Sequence, residues 1–305
     1  MMIKALIGGS TVLCAMLVTR AIAQYPTSCG EIERSYDGVK AEAVSVQTNT
    51  ALFAAADSGC EPLARALIAA GASVQARDPQ GAMPLAHAAR AGRTAMVQLF
   101  LAGGAEINAR NVDGGTALLA AAQRNKRAVV TLLMAKGADP NLAGRSGVTP
   151  LMAAAYNGND HIVADLLAHR ANPKARDRTD KSAMTYAAAR GFDDVVRRLL
   201  GAGIDARERY GNDLTALMWA AGHGESVDSA AAERTIGVLL AHGAPIDAVE
   251  NRGRTALMIA ANLGDPAVVA FLIDRGADRA RKDKQGKTAL DLAASDQVRE
   301  ILRKK

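Results

Sequence analysis

The chain has very little aromatic side-chain surface. Of its 305 residues four are Phe, five are Tyr and one is Trp, whereas hydrophobic residues as a class make up 49%. A large single core usually relies on aromatic rings, because each ring buries much apolar area. A chain that is poor in rings and rich in Ala and Leu is therefore expected to pack as thin layers of small helices.

A strong excess of charge is also missing. Lys and Arg together number 37 and Asp and Glu 31, which gives a net charge of +6. Removing residues 1–23, which contain Lys4 and Arg20 and no acid, leaves +4. So small an excess does not indicate nucleic-acid binding unless it is concentrated in a patch. We predict no nucleic-acid partner.

Motifs for catalysis and for metal binding are absent from the sequence. The five His show neither H-x-x-x-H nor H-E-x-x-H spacing, and there is no G-x-S-x-G or Walker loop. Cys29 and Cys60 lie 31 residues apart, which is not the spacing of a redox C-x-x-C pair. We predict a protein that is not an enzyme and has no metal site and no cofactor.

The first 23 residues have the pattern of a secretory signal peptide. Lys4 precedes an apolar run from Ala5 to Val18, and Ala21-Ile22-Ala23 forms a small-residue cleavage site. The run is shorter than the roughly 20 residues that a membrane-spanning helix needs. We predict cleavage before Gln24 and a periplasmic or secreted mature chain without a membrane span.

One motif recurs along the rest of the chain. It starts with Thr-Ala-Leu or Thr-Pro-Leu, continues with an Ala-Ala pair and ends with Leu-Leu and Gly-Ala. Its third residue returns every 33 residues, with one interval of 40, at Leu52, Leu85, Leu118, Leu151, Met184, Leu217, Leu257 and Leu290. A fixed period of this length predicts a solenoid of stacked helical units.

Each part of the unit has a physical role. The opening Thr is expected to cap the first helix, at Thr50, Thr116, Thr149, Thr215, Thr255 and Thr288. The Ala-Ala pairs, which run from Ala55-Ala56 to Ala293-Ala294, allow neighbouring helices to approach closely. Gly residues then end the helices, although Arg170 stands where the other units have their closing Gly.

These units resemble ankyrin repeats, most closely between Gly147 and Gly158. The resemblance covers residues 49–305 and implies an all-α solenoid of about eight helix-turn-helix units with projecting β-hairpin loops. Residues 24–48 match no unit and are interpreted as an N-terminal cap. The family's His after the motif Leu is absent from every unit of this chain.

Two further features leave alternatives open. The sixth unit has seven extra residues, placed between its helices in residues 225–232, where their Ala run predicts a longer second helix. They are either functional or a tolerated insertion. Once Cys14 leaves with the signal peptide, Cys29 and Cys60 either form a disulfide, which we favour, or remain free thiols.

The resemblance implies that a partner binds a concave surface formed by the first helices and the hairpin tips. The predicted contact residues are Arg90, Arg124, Tyr156, Asn157, Tyr186, Arg190, Tyr210, Trp219 and His223. Aromatic and Arg side chains dominate many interfaces. The alternatives are an ordinary solvated helix face and, for Tyr186 and Trp219, packing in the core.

The predicted hairpin tips also form an Arg-rich edge. Its members are Arg77, Arg110, Arg145, Arg176, Arg178, Arg209, Arg252 and Arg281, interrupted by several acids. This edge suits an acidic protein patch or an anionic envelope polymer. It is equally consistent with a solubilising surface whose neighbouring tips form salt bridges.

The leading hypothesis is a monomeric, non-catalytic protein-binding module of the bacterial envelope, either an adaptor or an inhibitor of immunity type. The chain also resembles periplasmic ankyrin proteins that are linked to oxidative-stress protection, and this resemblance would fit a catalase-associated role. The alternative is a binder of anionic envelope polymer through the Arg-rich edge.

Overall fold

The computed structural model describes residues 28–38, 45–222 and 227–304. The predicted signal peptide, residues 225 and 226 of the insertion and His223 lie outside these ranges. The described residues form seventeen helices and one short hairpin. The helices are α1 (Cys29–Asp37), α2 (Ser45–Ser58), α3 (Glu61–Ala69), α4 (Pro84–Ala91), α5 (Thr94–Ala102), α6 (Ala117–Gln123), α7 (Arg127–Ala135), α8 (Pro150–Tyr156), α9 (Asp160–Ala168), α10 (Ala183–Ala189), α11 (Asp193–Gly201), α12 (Ala216–Ala221), α13 (Ser229–Ala241), α14 (Ala256–Leu263), α15 (Pro266–Asp274), α16 (Ala289–Leu292) and α17 (Asp296–Arg303).

From α2 onward the helices form eight consecutive pairs, which we call repeats 1 to 8. Each first helix packs against its own second helix and against the first helix of the next repeat, and the second helices stack in the same way. The predicted all-α solenoid is confirmed. Its hairpin loops are tight turns, of which one, with strands β1 (Arg209–Tyr210) and β2 (Leu214–Thr215), is regular enough to form a two-stranded ladder.

The Ala-Ala pairs lie where the first helices touch. From Ala55-Ala56 to Ala260-Ala261 both members of every pair are fully buried. The last pair was wrongly predicted to do the same, because α16 ends at Leu292 and the pair lies beyond it. Ala294 is exposed, and its N–H donates to the Ala261 carbonyl (3.0 Å), which closes the end of the stack.

The predicted Thr caps are present at five of the six positions. In each of these the hydroxyl accepts the N–H of the third helical residue, as Thr116 does from Leu119 (3.2 Å). The prediction is wrong for Thr50, which lies inside α2 and donates to the Val46 carbonyl (2.8 Å). Residues 45–49 contain no Gly or Pro, so nothing breaks the helix before Thr50, and α2 runs through the expected boundary between cap and repeats.

The N-terminal helix α1 covers the first repeat. Ile32 and Tyr36 are buried and join the continuous core, and α1 packs on α2. Cys29, at the start of α1, forms a disulfide with Cys60, which precedes α3, and their Cα atoms are 5.4 Å apart. The disulfide therefore ties this capping helix to repeat 1.

Repeat 6 differs from its neighbours by a longer second helix, as the Ala run predicts. Helix α13 has 13 residues, whereas α11 and α15 have nine each. Its first turns pack beside Gly191, where an added Cβ would lie 2.9 Å from both Val227 and Ala231 side-chain atoms. The described part of the insertion thus extends the layer of second helices.

Arg170 occupies a backbone position that favours Gly. Its φ is +66°, while the equivalent Gly residues, such as Gly137 at +85°, lie in the same left-handed region. A side chain there costs roughly 1–2 kcal/mol per residue relative to right-handed backbone.

We predict that Arg170→Gly raises the free energy of unfolding by up to about 1 kcal/mol, because the strain outweighs the extra entropy of Gly in the unfolded chain. The control is Gly137→Ala, which has no atom near its added Cβ and should destabilise by about 1 kcal/mol through backbone strain alone. Urea unfolding measures both. A destabilised Arg170→Gly would show that contacts of the Arg side chain matter more than the backbone.

Candidate functional site

Five hairpin tips are each closed by a polar side chain that caps its own backbone, whereas Gly144 and Tyr210 stand at the equivalent positions of two other tips. In the tip of repeat 2, Asp78 Oδ1 accepts the N–H groups of Gln80 (2.9 Å) and Ala82 (2.8 Å). Equivalent residues do the same in other tips, at Asn111, Asp177, Glu250 and Asp283. These carboxylate and amide oxygens hold the loop conformation.

Neighbouring tips are joined by backbone hydrogen bonds. The N–H of Val112 donates to the Gln80 carbonyl (2.9 Å), and the N–H of Arg178 donates to the Ser146 carbonyl (3.0 Å). Because these bonds repeat along the array, the tips form a continuous edge. The two flanks of the concave surface, tips and first helices, are therefore both fixed.

Four of the predicted edge Arg side chains reinforce this edge. Arg77 donates to the carbonyl of Arg110 (2.9 Å), Arg176 to that of Arg209 (2.8 Å) and Arg209 to that of Val249 (2.8 Å). Arg110 makes the same bond to the Ala143 carbonyl. These guanidinium groups connect one tip to the next, so they are not free for a partner in the way that the sequence suggested.

Arg176 is the most heavily engaged member of this series. It pairs with Asp180 and with Glu208 (both 2.9 Å), and its guanidinium lies 5.0 Å from the centroid of the Tyr210 ring. Tyr210 itself is only 3% exposed, and burial raises its pKa to about 12. In this structure the Tyr210 ring supports the edge from inside and little of it is accessible, so its contact with a partner stays a prediction.

The other edge Arg side chains are less constrained. Arg252 contacts Glu250 (3.1 Å) and Arg281 lies 4.0 Å from Asp278. Arg145 and Arg178 are exposed, and their guanidinium groups contact no acceptor within hydrogen-bond or ion-pair distance among the described residues. They occupy equivalent positions in adjacent tips, 33 residues apart.

A cleft lies between these two tips and the first helices of repeats 3 to 5. Its volume is about 810 Å³, and its lining includes Gln123, Arg145, Arg178, Lys181 and Tyr186. Leu119 and Val148 contribute apolar surface. The cleft is the central part of the concave surface that the sequence predicted for a partner.

Aromatic rings and cations alternate along the floor beside this cleft. We call this the aromatic–cation cluster, composed of Tyr156, Lys181, Tyr186, Arg190, Phe192 and Trp219. The Arg190 guanidinium lies 4.5 Å from the Tyr156 centroid and 5.6 Å from that of Phe192. The Tyr156 and Tyr186 rings meet edge to face at 5.9 Å. Lys181 lies 6.0 Å from the Tyr186 ring and 5.3 Å from Trp219.

The cluster presents one large exposed surface. Tyr156 is 48% exposed, whereas Tyr186, Arg190 and Trp219 are half-buried. The Nε atoms of Arg190 and Trp219 are buried and have no hydrogen-bond partner within the described residues. Tyr186 and Trp219 both pack against the core and face Lys181, while their contact with a partner stays a prediction.

Tyr186 is positioned by a hydrogen bond to the tip of its own repeat. Its hydroxyl donates to Asp177 Oδ2 (2.6 Å), while Asp177 Oδ1 accepts from Thr179 and Lys181. Burial opposes the charge of Asp177, but these hydrogen bonds hold the pKa of its carboxyl below the usual value. Burial and the Asp177 carboxylate raise the pKa of Tyr186, so its phenol remains a donor.

His87 makes the equivalent connection in repeat 2. Its Nε2 lies 2.9 Å from Asp78 Oδ2 and its Nδ1 2.8 Å from Asp57 Oδ2 in repeat 1. Arg90, a predicted contact residue, also pairs with Asp57 (3.1 Å). Although burial opposes the imidazolium, hydrogen bonds and charge attraction from Asp57, with a hydrogen bond from Asp78, raise the pKa of His87.

The remaining predicted contact residues have different roles. Arg124 is exposed at the end of α6. Asn157 uses its amide to donate to the carbonyls of Ala122 and Gln123 (both 3.1 Å), which ties repeat 4 to repeat 3. His223 lies outside the described residues.

Sequence reasoning missed Lys181 and Phe192. Lys181 lies just before Ser182, which caps α10, and its side chain lines the cleft. Phe192 lies against Gly158, where an added Cβ would come within 2.6 Å of its ring. Aligning the repeats column by column could have revealed Lys181, but the contact of Phe192 with Arg190 depends on stacking.

Nothing in the described part of the chain resembles a metal centre or a membrane span. No group of three or more His, Cys, Asp or Glu side chains there is arranged to hold a metal ion. None of the helices described combines the length and apolar character needed to cross a bilayer.

Comparison with known proteins agrees with the repeat architecture. The family model described as ankyrin repeats (3 copies) matches overlapping segments, at residues 2–111, 52–144, 85–177, 121–210, 151–231, 184–278 and 227–304. The crystal structure of the human ASB11 ankyrin repeat domain is similar, with 27% sequence identity and a TM-score of 0.66. The match covers 72% of this chain and 96% of that domain.

We predict that stability falls as the pH rises through the raised pKa of His87. The folded chain holds this proton more tightly than the unfolded chain, whose His titrates near 6.5. The stabilisation is thus complete below about pH 6.5 and is lost as the pH rises from there through the raised pKa of the folded state. Chemical unfolding between about pH 6 and pH 9 should show this slope. His87→Gln should flatten it and His161→Gln, at an exposed position, should not; an unchanged slope in His87→Gln would contradict the assignment.

We also predict that the two kinds of edge Arg differ in their effect on stability. Arg176→Gln removes bonds to two acids and a carbonyl and should destabilise by about 1 kcal/mol. Arg178→Gln, two residues away and exposed, should change stability by less than about 0.5 kcal/mol. Thermal unfolding compares the two variants, and equal losses would show that the carbonyl contacts do not stabilise the edge.

Proposed function

The chain belongs to the ankyrin-repeat family, and from that premise we propose that it is a non-catalytic module whose protein partner binds the concave surface of repeats 3 to 6. The family's repeats indicate a protein–protein interaction module. The observation that carries the location is the aromatic–cation cluster, which places an exposed Tyr and an Arg together in a chain that has only ten aromatic rings.

The physical chemistry of the cluster suits an interface. Tyr and Arg side chains supply large contact area with little loss of conformational freedom when they are already held in place. Tyr156 is held by Arg190 on its face and by Tyr186 at its edge. A partner that covers Tyr156 would find a preorganised surface, which lowers the entropic cost of binding.

We place this module in the bacterial envelope, as an adaptor or an inhibitor. Support comes from the signal-like N-terminus and from the disulfide between Cys29 and Cys60, since disulfides persist in oxidising compartments. On this proposal the cleaved chain begins at Gln24. A role in stress protection remains within the same proposal, because a bound enzyme could be masked or positioned by the concave surface.

A second candidate function is binding of anionic envelope polymer at the tips. The observation in its favour is the pair of exposed, unengaged guanidinium groups of Arg145 and Arg178. Four other Arg side chains of the edge are bound to neighbouring carbonyls, which weakens the case for a long basic track.

We predict that a partner captured by the mature chain is lost when the cluster is removed. The chain is tagged after Lys305, expressed in the envelope, lightly crosslinked and purified, in parallel with Tyr156→Ala/Arg190→Ala. We expect one protein to co-purify with the parent and to fall by about tenfold or more with the double variant, as for an interface hot spot.

The matched control is Phe271→Leu/Arg275→Ala. That pair has the same ring-to-guanidinium distance of 4.5 Å but lies on α15, in the layer of second helices. Thermal unfolding confirms that both variants are folded. Equal capture by the cluster variant and the parent would exclude the concave surface of repeats 4 and 5 as the binding site.

A further inference from the structure

The central cleft combines positive charge with a carboxylate, Asp177, whose acceptor positions are occupied. Arg145, Arg178 and Lys181 line it together with two carboxylates, Asp113 and Asp177. Asp177 accepts hydrogen bonds from Tyr186, from the Thr179 hydroxyl and from two backbone N–H groups, so it has little capacity left to pair with a cation. The guanidinium groups of Arg145 and Arg178 therefore remain available for carboxylates from outside.

The shape of the cleft suits a narrow, extended chain. Gly115 and Gly144 line its floor without side chains, and Gln123, Ser146 and Thr179 place amide and hydroxyl groups along it. An added Cβ at Gly144 would lie 3.3 Å from Leu119, so any side chain there would crowd the apolar floor. Polar groups that can bond a peptide backbone thus lie beside apolar surface that can receive the side chains between the carboxylates.

The repeat spacing sets the spacing of the ligand's charges. Arg145 and Arg178 are equivalent residues of adjacent repeats, and packed helices are separated by roughly 8–10 Å. An extended peptide in the polyproline II conformation rises about 3.1 Å per residue and makes one turn in three residues, so side chains three positions apart share a face and are separated by about one repeat. Carboxylates three positions apart would therefore meet successive guanidinium groups.

We infer that the cleft of repeats 3 to 5 binds an extended acidic peptide segment whose carboxylates, about three residues apart, pair with Arg145 and Arg178. Lys181 supplies a third charge where the segment passes Tyr186, and Tyr156 receives an apolar side chain beside it. This inference rests on the proposed function and specifies the chemistry of the partner. The mixture of apolar floor and amide groups favours a peptide over a uniformly charged polymer.

The test uses fluorescein-labelled peptides of about 12 residues, long enough at about 3.1 Å per residue to cross three repeats. The first has Glu at every third position, with Leu and Thr between. The second has the same composition with its Glu residues contiguous, and the third has Gln in place of every Glu. Fluorescence anisotropy with the mature chain should show the first peptide binding about tenfold or more tightly than the third, and more tightly than the second.

Two double variants distinguish binding at the cleft from binding to the overall positive charge of the chain. Arg145→Gln/Arg178→Gln should weaken binding of the spaced peptide by about tenfold or more. The control Arg281→Gln/Lys284→Gln removes the same charge from exposed positions of the last tip and should change binding by less than about twofold. Thermal unfolding checks that both variants remain folded.

Several results would overturn the inference. Equal weakening by both double variants would mean that only net charge matters. Equal binding of the spaced and contiguous peptides would remove the match to the repeat spacing. Binding of dextran sulfate in the absence of peptide binding would identify the polymer as the occupant.

The outcome is distinguishable from that of the proposed function. If the Tyr156→Ala/Arg190→Ala variant loses its captured protein while none of the peptides binds, the concave surface is the interface and the inference of an acidic segment is wrong. In the opposite case the spaced peptide binds through Arg145 and Arg178, and the Tyr156→Ala/Arg190→Ala variant captures as much protein as the parent. The cleft then recognises acidic chains, and the cluster is not the centre of the interface.

Discussion

The contact between successive first helices, made through pairs of Ala side chains, is the interaction on which the rest of the structure depends. These pairs are fully buried in the first seven repeats, and nothing larger than a methyl group separates the helices at those points. A single helix pair buries too little apolar surface to fold by itself, so stability comes from stacking. The same close stacking brings the hairpin tips within hydrogen-bond distance of one another.

The tips then become a second line of contacts with the same period. Arg77, Arg110, Arg176 and Arg209 each donate to the carbonyl of the equivalent residue one repeat ahead, so they join neighbouring tips. The edge is consequently built from Arg side chains that are mostly used internally. Where Ala143 interrupts this series, its tip instead carries an outward Arg145, and Arg178 follows in the next tip. Two unengaged guanidinium groups are thus placed in adjacent tips in the middle of the array.

The middle of the array also contains the aromatic rings of the aromatic–cation cluster. Tyr186 and His87 occupy equivalent helix positions, and each bonds the tip acid of its own repeat, but their surroundings differ. His87 is enclosed by two carboxylates and an Arg, so it is a contact between repeats 1 and 2. Tyr186 is next to Tyr156, Lys181 and the cleft. The same hydrogen bond between a helix side chain and a tip acid therefore belongs to the contact between repeats in one place and borders the candidate interface in the other.

The sequence alone determined the solenoid, its eight units, the longer helix of repeat 6 and the general location of a concave surface. It did so because Ala pairs, caps and closing Gly residues at a fixed period leave few ways to bury apolar surface. Only the tertiary structure decided which surface side chains are free. Tyr210, Asn157 and four edge Arg residues look available in the sequence, yet each contacts the neighbouring repeat or the core. The reason is physical: a residue's partners here lie about 33 positions away, and whether a long side chain reaches them depends on the distance between stacked units.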